Sequence, residues 1–132
     1  SVPAKHNPVP HKPEAPSNTI FVVETAGLRI AHFGDLGQAD FTPEQLAALG
    51  RIDVAFMQFE NSNSALLATE GRAFRLMNKI KPRLIVPTHV AGQAWTMLPK
   101  AYRPVLKAGP VLRVSASTLP KQTRVVELDF PK

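Results

Sequence analysis

Three short polar groups each stand directly behind an apolar run: His32-Phe33-Gly34-Asp35, the stretch Gln58 to Ser64, and Thr88-His89. In open sheets with parallel strands, ligands gather where the carboxyl ends of strands release their loops. Asp35 and His89 are 54 residues apart (89 − 35 = 54), yet both fall at such strand ends. A carboxylate oxygen and an imidazole nitrogen on one edge suit Zn²⁺, Mn²⁺ or Fe. Taken singly, each residue has an ordinary explanation. A Gly-Asp pair after a strand is commonly a turn, and a lone histidine is commonly a surface or satisfied core residue.

Composition narrows the chemistry. The 132 residues contain no cysteine, which excludes disulfides and thiolate zinc sites and leaves histidine and carboxylate as metal donors. Sixteen Lys and Arg against ten Asp and Glu give a formal charge of +6. Arg72, Arg75, Lys79, Lys81 and Arg83 come nearest to a basic cluster, but no aromatic residues interleave for base stacking. Nucleic acid is therefore not an expected partner. There is no apolar run of roughly 18 residues and no charged-then-apolar leader, so neither a membrane span nor a secretory signal is expected. A soluble protein is expected, with cytoplasm and periplasm both open. The chain begins at Ser1, and processing, trimming or a missing earlier part would each account for that.

The elements that must hold these residues follow from local pattern. Pro3, Pro8, Pro10, Pro13 and Pro16 make residues 1–18 an extended or irregular lead ahead of residues 19–132, and the chain's length suits one compact domain and not two. Thr19 to Glu24 and Leu28 to Phe33 read as a hairpin around Ala26-Gly27. Thr42-Pro43-Glu44-Gln45 supplies a cap, a first-turn proline and a capping-box partner, so a helix runs from 43 to 49 and stops at Gly50. Ile52 to Phe56 is a buried strand, Leu66 to Ile80 an amphipathic helix, and Arg83 to Val86 another strand. A short helix near Trp95 and a closing pair of strands, Val111 to Ala116 and Thr123 to Asp129, complete the reading. The order β-β-α-β-α-β implies a partly parallel sheet with helices on a face.

Five short stretches together resemble the metallo-β-lactamase superfamily, in the branch that includes the ascorbate-phosphate lactonases. They are Asn18 ahead of its strand, the Gly-x-Arg-Ile-x-His-x-Gly-Asp hairpin ending at Asp35, Phe41 to Leu46, Ile52-Asp53-Val54, and Pro87-Thr88-His89. The resemblance spans roughly residues 1 to 90. It implies an α/β fold in which this chain is the second, ββαβαβ half of an αββα sandwich. It also implies that Asp35 bridges two metal ions, that His89 is the last histidine ligand, and that His6 is the family's middle histidine, although Asn7 follows it where the family has Asp. His11 competes with His6. His32 is implied to be a buried or supporting group, not a ligand.

Two departures matter. Where many relatives carry a proline and paired glycines, this chain has Gln58 to Asn63, read as a loop that shapes a different substrate pocket, with Glu60 a surface charge. The family's His-x-His-x-Asp-His string is absent from these 132 residues. The implied function is a metal-dependent hydrolase, in which a metal-activated hydroxide attacks a carbonyl or phosphoryl centre of a small molecule. Zn²⁺ is the first choice of metal, with Mn²⁺ or Fe as others. The lone chain is expected to be inactive and to need a complementary N-terminal half or a second copy. Rival readings are a non-catalytic interaction module and a nucleic-acid-processing member of the superfamily. An uncovered apolar sheet face of several hundred Å² is expected, since two helices cover one face only.

Overall fold

The computed structural model describes residues 1–6 and 17–129. Among the described residues, seven strands form one mixed sheet: β1 (Val2–Ala4), β2 (Asn18–Thr25), β3 (Leu28–His32), β4 (Val54–Gln58), β5 (Leu84–Thr88), β6 (Leu106–Ala108) and β7 (Arg124–Leu128). Their order is β1-β2-β3-β4-β5-β7-β6. The β1-β2-β3 meander is antiparallel, and every pairing beyond β3 is parallel. Three helices, α1 (Pro43–Leu49), α2 (Arg72–Ile80) and α3 (Ala94–Ala101), connect the parallel strands.

Each local choice has a cause. Thr42 accepts from the Gln45 backbone N–H while the Gln45 side chain accepts from the Thr42 N–H, so α1 begins with the reciprocal cap that its sequence spells. The successive steps β3 to β4 and β4 to β5 move in one direction across the sheet, and right-handed crossovers then put the helices on one face. That face is the larger core, where Leu49, Leu76, Met77, Ala94 and Leu98 pack on Ile20, Ala31, Ala55, Met57, Ile85 and Val125. Strand alternation sends Val54, Leu84, Val86 and Val126 to the opposite face.

Some expectations need correcting. Val111 to Ala116 is not a strand; β6 lies earlier, at Leu106–Ala108, and runs parallel to β7. Leu112, Val114 and Leu119 instead pack as an irregular segment on the second face. Alternating apolar residues read as a strand from sequence, but here they cover the sheet without joining its ladder. The second face is therefore less bare than expected, and its exposed large side chains include Phe21, Val23, Leu106 and Val111. The helix placed from Leu66 is shorter: two 3-10 turns, Ser62–Ser64 and Ala68–Glu70, precede α2. Within the proline-rich lead, Val2–Ala4 pairs with β2. His11 and Asn7 lie outside the described residues. No helix among the described residues is long and apolar enough to cross a membrane.

Candidate functional site

At the carboxyl edge of β3, β4 and β5, a cavity is lined by His6, Ser17, Asn18, His32, Gly34, Asp35, Thr88 and His89. Four separate pieces of chain meet there. Asp35 arrives on the turn after β3, where Gly34 adopts φ +58° and where a Cβ would stand 2.7 Å from Asn18 Oδ1. Asn18 in turn donates to the Phe33 carbonyl at 3.0 Å. This explains why an asparagine stands ahead of β2 and a glycine stands before the aspartate.

His6 follows β1. Its backbone N–H donates to Ser17 Oγ at 3.0 Å, and the Lys5 carbonyl accepts from Gly37 N–H at 2.9 Å. Gly37 is essential to this approach, because a Cβ on it would fall 1.8 Å from the His6 carbonyl oxygen and 2.1 Å from that of Ser64. His89 directly follows β5 with φ +44°, a left-handed conformation that costs a non-glycine residue on the order of 1–3 kcal/mol. Its carbonyl accepts from Glu60 N–H at 2.9 Å, so the β4–β5 pairing continues far enough to hold it there.

The side chains converge on one carboxylate. His6 Nε2 lies 3.7 Å from Asp35 Oδ2, and His89 Nε2 lies 3.6 Å from Asp35 Oδ1. These separations are too long for hydrogen bonds. Two donors that each sit about 2.0–2.2 Å from one tetrahedral cation stand about 3.4 Å apart, so each His–Asp pair is spaced as two ligands of a shared cation would be. The two imidazoles face different oxygens. Among the described residues no group of three or more His, Asp or Glu side chains is arranged to hold an ion. His6 and His89 stand beside opposite oxygens of Asp35.

His32 is exposed, contrary to the buried role considered for it, and lines the cavity. Its ring stacks on Phe56 with centroids 5.7 Å apart, and its Nδ1 accepts from Gly34 N–H at 3.0 Å. The proton of the neutral imidazole thus sits on Nε2.

The segment Gln58 to Ser64 departs furthest from expectation. Gln58, Phe59, Asn61 and Ser64 are buried. Gln58 Nε2 donates to the Leu36 carbonyl (2.7 Å) and to Ser64 Oγ (2.8 Å), and Asn61 Nδ2 donates to Gln58 Oε1 (2.8 Å) and to Asp35 Oδ1 (3.3 Å). Glu60 is no idle surface charge, since its carboxylate accepts from Ala68 N–H at 2.9 Å and caps a 3-10 turn. Residue types that usually face water are read as surface in a sequence, so the inward turn of this segment had no local signal beyond its density of amides.

A family model described as a beta-lactamase superfamily domain matches residues 1–89. Among curated proteins none matches. A solved structure from Thermotoga maritima, described as a Zn-dependent hydrolase of the metallo-beta-lactamase superfamily, aligns with a TM-score of 0.68 at 23% identity over 83% of this chain. The present chain spans 57% of that protein. With the family match running through His6, Asp35 and His89 and the fold shared, the chain belongs to the beta-lactamase superfamily and has the metallo-beta-lactamase-like fold.

Proposed function

We propose that this chain supplies one half of a metal-dependent hydrolase site, completed by a segment that carries the His-x-His-x-Asp-His donors. The observation that supports it is the single carboxylate of Asp35 flanked by imidazoles 3.7 and 3.6 Å away on its two oxygens. One anion between two cations offsets their mutual repulsion. The donor types suit a borderline divalent ion, Zn²⁺ first and Mn²⁺ or Fe next. When bound, such an ion supplies Lewis acidity and lowers the pKa of a water to about 7, which makes it a nucleophile toward a carbonyl or phosphoryl carbon or phosphorus.

The chain's own residues do the rest. His6 offers Nε2 on one side of Asp35 and His89 offers Nε2 on the other. His32, with Nδ1 occupied by the Gly34 amide, keeps an Nε2–H donor for a substrate oxygen. The reading as a nucleic-acid processor draws little support from the basic stretch, because Arg72 pairs with Glu70, Lys79 pairs with Asp40, and Arg75 and Arg83 donate to backbone carbonyls.

Zn²⁺ affinity and stoichiometry, measured by competition with a chromophoric chelator, test the proposal. Asp35→Ala should lower affinity at least tenfold, because it removes an anion shared by both positions, while far-ultraviolet circular dichroism stays unchanged. Esterase, lactonase and phosphodiesterase turnover should then emerge only when a complementary N-terminal half is supplied. Equal Zn²⁺ affinity in the wild type and in Asp35→Ala, or full turnover by the lone chain, would sink it.

A further inference from the structure

The amide network behind the cavity has a direction, and the direction ends on Asp35. Gln58 is fully buried at the end of β4, and the Leu36 carbonyl 2.7 Å from its side chain can only accept. That contact fixes which end of the Gln58 amide is nitrogen. Its oxygen must then face Asn61, which accordingly presents Nδ2 at 2.8 Å. The other end of Asn61 is fixed independently, because its Oδ1 accepts the Asn63 N–H at 3.0 Å. The second Nδ2 proton is left for Asp35 Oδ1 at 3.3 Å. Ser64 closes the ring, accepting from Gln58 and donating to the Asn61 carbonyl.

Each amide therefore has one permitted orientation, set by backbone groups on both sides, and the outcome is an N–H aimed at the carboxylate. Among the described residues, this is the hydrogen bond that reaches Asp35 from the buried side. Asp35 itself is half exposed, so without such a contact its carboxylate has little to choose one rotamer over another. The oxygen that receives it is the same one that faces His89.

We propose that Asn61 is a positioning residue, which holds the Asp35 carboxylate so that its two oxygens are divided between His6 and His89, and that Gln58 keeps the Asn61 amide the right way round. The metal-affinity consequence rests on the functional reading above, whereas the orientation of the carboxylate does not. Donors of this kind behind a ligand typically change metal affinity 10–100-fold when removed.

The test has two arms on the full chain. In metal-free protein, ¹H–¹⁵N spectra should show an Asn61 side-chain proton that moves on Asp35→Ala, and the Asp35 carboxyl ¹³C resonance should move on Asn61→Ala. Unmoved resonances in both experiments would overturn the proposal whatever the metal does. In the second arm, Zn²⁺ is titrated against wild type, Asn61→Ala, Gln58→Met and Asp35→Ala. Asn61→Ala should weaken Zn²⁺ about tenfold with unchanged stoichiometry, and Gln58→Met should weaken it by a smaller factor in the same direction. Should Asn61→Ala fail to fold, Asn61→Asp keeps the shape and the acceptor for Asn63 while losing the donor, and the Asp35 carboxyl resonance is read in that variant. If Asp35→Ala leaves Zn²⁺ affinity unchanged, the functional reading fails and the spectra alone decide the positioning role. If Asp35→Ala weakens Zn²⁺ and a folded Asn61→Ala does not, the proposal fails while the functional reading stands.

Discussion

The two faces of the sheet are closed in different ways. On one, three helices press regular apolar stripes onto Ala31, Ala55, Met57 and Ile85, and the packing extends from Val2 to Val125. On the other, Leu28, Val54, Leu84, Val86 and Val126 are covered by the irregular segment that carries Leu112, Val114 and Leu119, and Phe21 and Val23 on β2 are left 60% and 54% exposed. A helical cover repeats its contacts every turn and fills space densely. A loop cover meets the sheet at a few points, and it stops before β2.

This contrast implies unequal costs of damage. Leu76→Ala, beneath α2 and fully buried, should lower unfolding free energy by about 2–5 kcal/mol. Leu119→Ala on the loop cover should cost less, about 1–2 kcal/mol, because a loop can settle into the space that is left. Urea denaturation of both variants measures the difference, and equal losses would break the comparison.

Tyr102 sharpens the picture of the helical side. It is buried against Phe74, with ring centroids 6.1 Å apart, and its hydroxyl finds no partner among the described residues. Burial pushes its pKa up to about 12, from an ordinary value of 10.0. Because the folded value is raised, the stability contributed by the neutral phenol is complete below pH 10 and is lost as pH climbs from about 10 to 12, on the order of 2–3 kcal/mol. Tyr102→Phe should remove that part of the alkaline loss. At neutral pH it should be neutral or stabilising by about 1 kcal/mol, since no hydrogen bond is broken. Thermal melts at pH 7 and pH 11 report both.

The smallest effect belongs to the open end of the second face. Phe21→Ser with Val23→Ser should leave the stability of the chain within about 0.5 kcal/mol, as measured by urea denaturation. A large loss of stability would mean that β2 is already covered.

Much of this was legible locally. The α1 helix from Pro43 to Leu49 is written in its cap residues, and Asp35 and His89 announce themselves as polar residues behind apolar strands. Gly37 carried a faint signal, a glycine two residues past the aspartate, whose purpose emerges only when the His6 and Ser64 backbones are seen to crowd it. That the sheet is partly parallel was open to rule because strand-helix-strand units leave few choices. Val111 to Ala116 misled because alternation reports which side chains face inward and says nothing of whether a strand partner is free.

By itself, then, the sequence determined the β2–β3 hairpin, the strands β4, β5 and β7, the helix α1, the residue types able to bind a cation, and the strand ends behind which Asp35 and His89 stand, since these depend on spacing and on neighbours in the chain. Only the tertiary structure decided that His6 and His89 would take opposite oxygens of Asp35, that His32 would be exposed, and that Gln58, Asn61 and Ser64 would turn inward. The physical reason is that an amide's burial depends on partners brought from elsewhere in the chain, here the Leu36 carbonyl and the Asp35 carboxylate, and no local pattern encodes where those partners will be.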